Sequence, residues 1–293
     1  MIYDVSHKTT ISYDGIVRLA QFNIRMRPAD WPDQQVLSQD MSITPGAATF
    51  SREGAYLAPL TRARMDAPLS ELVISKRFRV KVERKAPEPS PGDPTVDQVR
   101  DAALAVQRID ALAPANYLYP SPRAPLDAGI IAWCASDLVG GAGIVAAGLA
   151  LARRIQKVFD YDPKATDADT PASEAFAAKA GVCQDFAHIM IIGLRGAGLP
   201  AAYVSGYLRT IPPAGKPRLV GADATHAWVM IWCGEALGWV GFDPTNGCTV
   251  GPDHILTAVG RDYADVSPID GVLLGRTLQK LKVAVDVIPV EAA

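Results

Sequence analysis

The chain has 293 residues, a mass of 31.2 kDa and a formal net charge of −2. Apolar residues make up 49% of it and charged residues 20%, which excludes a mainly disordered chain, because disorder requires low hydrophobicity and a high net charge. Neither the first 90 residues nor the remainder has a strong excess of basic residues. A nucleic-acid partner is therefore not expected.

The cysteines and the first residues bear on the compartment. Four cysteines, with no Cys-x-x-Cys pair, are too few for a disulfide scaffold and do not indicate a structural zinc site. The start, MIYDVSHKTTISYDG, lacks the basic and apolar segments of a secretory signal, so a cytoplasmic location is expected. The most apolar stretch, Leu138–Ala152, is short for a membrane span and favours a buried helix, so no membrane partner is expected.

Residues 1–88 are predicted to form a small β domain. Their segments are rich in strand-forming residues, and the last one alternates apolar with charged side chains, as a half-buried strand does. A turn at Asp14-Gly15 is expected to join the first two strands into a hairpin. Four prolines within Lys85–Pro94 predict a domain linker. The predicted strands are Ile2–Tyr13, Ile16–Arg27, Val36–Thr44 and Leu69–Glu83.

Residues 89–293 are predicted to form a second domain, in which helical periodicity is followed by strands. A loop over residues 209–224, containing IPPAGKP, is expected to help shape a cleft. The predicted helices are Thr95–Ala113, Leu126–Leu138, Ile144–Val158 and Thr170–Ala180, and the predicted strands are Tyr203–Leu208, Thr225–Trp232 and Gly238–Asp243.

The segment GVCQDFAHIMIIGL, residues 181–194, carries the first candidate functional residue. Gly181 ends the preceding helix, and Phe186, Ile189 and Met190 then recur at helical spacing, which puts Cys183 at a helix N-terminus. The unpaired N–H groups and positive dipole end of a helix stabilise an anion there. A thiolate in such a place is a usable nucleophile, and the same N–H groups can serve a developing oxyanion.

A histidine and an aspartate follow in a pattern that suits this nucleophile. His226 stands at the start of one predicted strand and Asp243 at the end of the next. If the two strands form an antiparallel hairpin, the carboxylate meets the imidazole, fixes its tautomer and stabilises its charged form. The imidazole can then deprotonate a thiol on the facing helix.

The order of Cys, His and Asp resembles the transglutaminase-like superfamily of cysteine enzymes. The resemblance lies in GVCQDFAH, THAWV, GWVGFDPTN and the tail GRDYADVSPIDGV; HKTTISYDG and RMRPAD resemble the β domain that precedes the core in bacterial members. It implies an α+β fold, with a papain-like transglutaminase core after a small β-sandwich-like domain. In that core, a helix bearing the Cys packs on an antiparallel sheet. It also implies a catalytic triad of Cys183, His226 and Asp243.

Three further residues are candidates for oxyanion or substrate binding. Gln184 directly follows the cysteine, and Tyr161 precedes the site in the run VFDYDP. Trp228 is expected on the same strand face as His226, where it would shield the imidazole or belong to the core. No Asp-rich calcium loop is present in the sequence, and neither a cofactor nor a metal is expected.

The other three histidines are expected to be structural. His188 lies five residues after Cys183, which turns it away from the cysteine around the helix. His7 is expected to make a hydrogen bond in the β domain. His254 follows a Gly-Pro-Asp turn and is predicted to be on the surface.

The leading hypothesis is a cysteine peptidase or amidase that acts on a protein or peptide substrate through a thioester hydrolysed by water. The second is a protein-glutamine transamidase with an amine as the acyl acceptor. The third is a catalytically silent binding module, against which an intact Cys-His-Asp set argues. A metal site using Cys183 and His226 has no further ligand motif to support it. The sequence does not predict an oligomeric state.

Overall fold

The computed structural model of the chain describes residues 1–210, 224–275 and 277–290. Strands and helices are numbered in chain order. The strands are β1 (Ile2–Val17), β2 (Leu19–Ile24), β3 (Gln34–Thr44), β4 (Ala48–Arg52), β5 (Leu60–Met65), β6 (Leu69–Val82), β7 (Asp160–Tyr161), β8 (Ala180–Gly181), β9 (Ala201–Leu208), β10 (Ala224–Trp232), β11 (Trp239–Asp243), β12 (Cys248–Thr249), β13 (His254–Gly260), β14 (Ile269–Leu274) and β15 (Gln279–Val290). The helices are α1 (Val96–Ala105), α2 (Ala128–Cys134), α3 (Ile144–Val158), α4 (Ala172–Ala178), α5 (Cys183–Gly196) and α6 (Tyr263–Val266), with a 3-10 turn at Pro114–Tyr117.

Two antiparallel four-stranded sheets form a β-sandwich around the N-terminal part of the chain. Their strand orders are β15-β1-β6-β3 and β14-β2-β5-β4. Ile11 and Ile74 of the first sheet share one buried apolar core with Phe22 and Met65 of the second. The alternation predicted for Leu69–Glu83 is present in β6, whose apolar side chains are buried while Arg77 and Arg79 are exposed.

The β-sandwich differs from the prediction in two places. The expected hairpin turn at Asp14-Gly15 is wrong, because β1 continues to Val17 and the chain crosses to the other sheet at Arg18. The Asp14 carboxylate instead accepts hydrogen bonds from the Thr277 hydroxyl and the Leu278 N–H, which lie in the connection between β14 and β15. In addition, β14 pairs with β2 and β15 pairs with β1. Strand pairing therefore places these two strands in the sandwich and not in the core expected over residues 89–293.

A third antiparallel sheet, with five strands in the order β12-β11-β10-β9-β13, carries the helices on one face. Phe186 and Ile189 of α5 share its apolar core with Val229 and Ile231 of β10. Trp228 and Met230, which alternate with these residues, lie in a separate cluster. The α+β architecture predicted from the sequence, a helix-bearing core together with a β-sandwich, is confirmed.

The sandwich and the helix-bearing sheet meet through both apolar and polar contacts. Tyr3 and Val5 of β1 pack with Tyr207 and Ile255 of the five-stranded sheet. The side chain of Gln34 donates to the Leu256 carbonyl at 2.7 Å and accepts from the Leu256 N–H at 2.8 Å. These contacts fix the start of β13 against the sandwich.

The predicted helices are present, with shorter bounds in three of four cases. Helix α3 has the predicted residues, and α1 begins after Thr95, whose hydroxyl caps the helix together with Gln98. Most of the expected loop, residues 211–223, lies outside the described residues. Across the part of the chain that the structure describes, no helix is long and apolar enough to cross a membrane.

Helix α5 crosses α2 at a glycine, and this contact can be tested. A Cβ at Gly193 would overlap the sulfur of buried Cys134. Alanine normally stabilises a helix interior relative to glycine by about 1 kcal/mol, but overpacking a tight core costs about 1–3 kcal/mol. We therefore expect Gly193→Ala to lower the free energy of unfolding, measured by urea denaturation. Gly46→Ala, where a Cβ meets nothing within 4 Å, is the control; a Gly193→Ala protein as stable as this control would contradict the close crossing.

Candidate active site

Cys183 is the first residue of α5, as the sequence predicts. Val182 precedes it with extended backbone, and the Asp185 carboxylate accepts hydrogen bonds from the Val182 N–H at 2.8 Å and from the Thr166 hydroxyl at 2.7 Å. A side chain at Gly181 would collide with Asp185, so the glycine makes room for this cap. The N–H groups of Asp185 and Phe186 donate to the Val182 carbonyl, so the N–H groups at the start of α5 that remain beside the thiol are those of Cys183 and Gln184.

His226 lies between Asp243 and Cys183. The Nε2 atom of its ring is 2.8 Å from Oδ2 of Asp243, and both side chains are buried. The thiol of Cys183, which is partly exposed, is close enough to the ring to act on it by hydrogen bonding and by charge. The structure thus brings together the three side chains that the sequence places far apart in the chain.

The surroundings of His226 favour its charged form. Burial lowers its pKa, but the hydrogen bonds and charges of Asp243 and Cys183 outweigh burial and raise the pKa to about 10. Burial likewise raises the pKa of Asp243, yet the hydrogen bonds from His226 and His254 and the charge of His226 hold it well below its usual range. Near neutral pH, the site therefore contains an imidazolium beside a carboxylate.

The Asp243 carboxylate is a hub of hydrogen bonds. Its Oδ1 accepts from the backbone N–H groups of Thr245 and Asn246 at 2.9 and 3.1 Å. Its Oδ2 accepts from the Asn246 side-chain amide at 2.6 Å, in addition to His226. The turn that follows Asp243 thus holds the carboxylate in place, and an Asp-Pro-x-Asn-Gly sequence is typical of such turns.

His254 is the functional residue that the sequence analysis missed. It was predicted to be on the surface, but only 5% of it is exposed, and its Nε2 lies 3.1 Å from Asp243 Oδ2. The turn before it folds back, so that the Gly251 N–H donates to its Nδ1 at 3.3 Å. Because Nδ1 accepts, the proton is on Nε2, and the neutral ring donates to Asp243. Its strand neighbours, HILTAVG, are all buried, and this apolar run was the available signal.

His226, Asp243 and His254 are also the residues of the described chain that come closest to a metal-binding set. Their potential ligand atoms lie within 4.8 Å of one another. However, the hydrogen-bond network already occupies the facing atoms, since both Nε2 atoms point at the same carboxylate oxygen. A metal would have to replace both of these hydrogen bonds, so the geometry favours a proton-holding network over a metal centre.

Trp228 covers the two histidines from one side. Its ring is fully buried, 6.1 Å from the ring of His226 and 5.4 Å, edge to face, from that of His254. A side chain at Gly206 would collide with it. The ring of Trp228 thus belongs to the core and covers one face of the histidine pair, and its shielding of the imidazole stays a prediction.

Gln184 and Tyr161 differ in their availability to a substrate. The amide of Gln184 donates to the Ala168 carbonyl at 3.1 Å, which ties the α5 N-terminus to the preceding loop. Tyr161 is 56% exposed, and burial, followed by the charge of Cys183, raises its pKa. A second tyrosine near Cys183, Tyr203, is buried. Tyr161 is thus the accessible phenol beside the cysteine.

The other cysteines are poor nucleophiles. Burial raises the pKa of Cys134 to about 12 and that of Cys233 further. Burial and the Asp243 charge raise the pKa of Cys248 to about 11. Cys183 is therefore the cysteine that is both partly exposed and close to a base, His226.

The remaining histidines are structural, as the sequence predicts. His188 is buried, its pKa is lowered to about 4 by burial, and it accepts from the Tyr263 N–H. His7 is buried in the sandwich, where its ring bonds the hydroxyls of Tyr207 and Thr9. Neither ring belongs to the Asp243 network.

Comparison with known proteins places this geometry among relatives. Residues 135–244 match a family model described as the transglutaminase-like superfamily, and residues 3–81 match the bacterial transglutaminase-like N-terminal region. An uncharacterized protein of Mycobacterium tuberculosis strain H37Rv is 34% identical over 99% of this chain and 93% of its own length. A second uncharacterized protein, from Mycobacterium leprae, is 30% identical over 97% of both chains.

Two further matches have descriptions that refer to an enzymatic activity. A protein-glutamine gamma-glutamyltransferase of Pseudomonas aeruginosa is 39% identical over 98 residues, which are 33% of this chain and 14% of that protein. A solved structure from Cytophaga hutchinsonii, of a protein proposed to be a cysteine protease, has a TM-score of 0.76 and 19% identity, and covers all of this chain and 92% of its own. This likeness establishes the common fold.

The charge state of His226 gives a testable consequence. Its raised pKa means that the pair with Asp243 stabilises the fold fully below about pH 6.5, and that this contribution is lost as the pH rises through about 10. We expect Asp243→Asn to remove the negative charge and let burial lower the pKa of His226 below 7. Titration of the histidine ring signals by NMR measures this, with buried His188 as the unchanged internal control. An imidazolium that persists at pH 9 in the variant would contradict the assignment.

Proposed function

Since this chain belongs to the transglutaminase-like superfamily, we propose that it transfers acyl groups from peptide or amide bonds through a thioester on Cys183. The observation that carries the proposal is the arrangement of a partly exposed thiol, a buried imidazolium and a buried carboxylate on α5, β10 and β11. An imidazolium beside a thiol favours the thiolate, which is the nucleophilic form.

The first half of the reaction forms the thioester. The Cys183 thiolate attacks the substrate carbonyl carbon, and a carbon–sulfur bond forms while the carbonyl oxygen becomes an oxyanion. The N–H groups of Cys183 and Gln184 at the start of α5 stabilise that oxyanion, and the hydroxyl of the exposed Tyr161 is the candidate side-chain donor. The carbon–nitrogen bond then breaks, and His226 gives its proton to the leaving amine.

The second half releases the acyl group. The neutral His226 takes a proton from water, and the resulting hydroxide attacks the thioester carbon. The carbon–sulfur bond breaks, and the sulfur leaves as the thiolate beside the recharged imidazolium, so the product is a carboxylic acid. Asp243 keeps the ring in the orientation that both proton transfers need.

Hydrolysis is favoured by the openness of the site. Cys183 is partly exposed and Tyr161 is more than half exposed, so the site is open to water as the acyl acceptor. Transfer to an amine is the second candidate, because the Pseudomonas aeruginosa relative that shares 98 residues bears the name of a glutamyltransferase. In both cases the substrate class is a protein or peptide amide, and a cytoplasmic location stays a prediction.

Selective alkylation of Cys183 tests the proposed mechanism. An ordinary thiol is about two hundred times more ionised at pH 9 than at pH 6, so its reaction with iodoacetamide changes by about that factor. We expect the rate at Cys183, followed by peptide mass spectrometry, to change less than about fivefold. In His226→Ala the ordinary dependence returns, and buried Cys134 serves as a folding control because it stays unlabelled. An ordinary dependence in the unchanged protein would refute an activated thiolate.

Product analysis separates hydrolysis from transamidation. With a peptide library containing internal glutamines, and a labelled primary amine in excess, we expect new carboxylates at cleaved bonds or deamidated side chains and little labelled product. Predominant incorporation of the amine would favour the second candidate. Cys183→Ala should abolish either product, and Tyr161→Phe should lower kcat/KM by about 10-fold or more if its hydroxyl meets the oxyanion.

A further inference from the structure

We propose that His254 is a positioning residue for the His226–Asp243 pair, and that Arg84 of the β-sandwich holds His254 in place. The inference rests on the proposed function, since it assigns a role toward the same nucleophile. It gives the N-terminal β-sandwich a part in the chemistry, although the sandwich supplies none of the three triad side chains.

His254 and His226 donate to the same oxygen of Asp243. The distances from their Nε2 atoms to Oδ2 are 3.1 and 2.8 Å. The Gly251 N–H holds the other ring nitrogen of His254, so this ring is fixed at both ends. A neutral N–H donor on the far side of the carboxylate restrains its rotation without adding a charge, and the carboxylate in turn orients the His226 ring.

The β-sandwich reaches this histidine through its backbone. The guanidinium of Arg84, which is buried, donates to the His254 carbonyl at 2.9 Å. The same guanidinium is anchored by Asp33, with nitrogen–oxygen distances of 2.6 to 3.0 Å. Gln34, next to Asp33, makes two hydrogen bonds to the backbone of Leu256.

These contacts define a chain of rigid groups from the sandwich to the nucleophile. Asp33 orients Arg84, Arg84 fixes the position of His254, and His254 restrains Asp243 beside His226. The titratable groups that face Asp243 are His226, His254 and Cys248. The charge of Asp243 contributes to the raised pKa of Cys248. Removal of any one of these contacts should therefore change the charge and orientation of His226, even when the substituted residue lies far from it.

Two matched pairs of variants test the chain of contacts in the full-length protein. His254→Phe keeps a planar ring and removes the donor, whereas His254→Gln retains an N–H in a similar place. Arg84→Met breaks the contact to His254, whereas Arg79→Met breaks an equally bidentate but exposed ion pair with Asp4 in the same sandwich. The readout is the ratio of Cys183 alkylation rates by iodoacetamide at pH 9 and pH 6.

We expect His254→Phe and Arg84→Met to raise this ratio at least tenfold above that of the unchanged protein. His254→Gln and Arg79→Met should stay within threefold of it. Labelling of buried Cys134 and Cys233 reports unfolding in the same spectra, and if Arg84→Met unfolds, the milder Arg84→Gln replaces it.

The outcomes separate this inference from the proposed function. If His254→Phe and Arg84→Met keep the ratio of the unchanged protein while that ratio is small, the inference is overturned and the proposed function stands. If the unchanged protein already behaves as an ordinary thiol, the proposed function fails, and this inference fails with it. If His254→Gln raises the ratio of alkylation rates as much as His254→Phe does, the ring acts by packing alone, which also overturns the inference.

Discussion

The buried carboxylate of Asp243 is the constraint on which the rest of the site depends. A charge with 0% exposure costs several kcal/mol unless it is fully hydrogen-bonded, and here five donors surround it. Two come from the backbone of its own turn, one from Asn246 and two from the histidines of β10 and β13. Three separate segments therefore have to meet at one point before the charge is tolerated. This requirement couples the folding of the sheet to the assembly of the candidate nucleophile.

The sequence was sufficient for the parts of the site that local patterns determine. Cys183 follows a helix-breaking glycine and precedes a helical apolar stripe, and the strand signals on either side of a short turn predict the approach of His226 and Asp243. His254 was missed because a Gly-Pro-Asp turn is usually exposed, whereas tertiary contacts that no local pattern shows surround this residue: its ring meets Trp228 and Asp243, and its carbonyl accepts from Arg84. The turn expected at Asp14-Gly15 does not form, because β1 pairs with its neighbours up to this point and long-range hydrogen bonds from Thr277 and Leu278 to Asp14 take the place of a local turn.

The cysteine chemistry follows from where the other thiols are placed. Cys134 fills the crossing of α2 with α5, and Cys233 directly follows β10 inside the core, so both act as small apolar residues. Cys183 alone combines exposure with a neighbouring imidazolium and a helix N-terminus. The same helix that presents this thiol is held by Asp185 at one end and by its glycine crossing at the other. The position of the sulfur is thus set by packing on both sides of it.

The return of the last strand to the first sheet has a consequence for how the molecule is made. In that sheet β1 lies between β6 and β15, so one of its two neighbours is synthesised about 200 residues after the other. Until β15 is released from the ribosome, a long strand edge of the sandwich stays unpaired and open to other chains. The first sheet therefore cannot be completed before β15 has been synthesised, and the high contact order of this pairing makes it slow to form. A nascent chain would accordingly need protection from aggregation at this edge until β1 and β15 had paired.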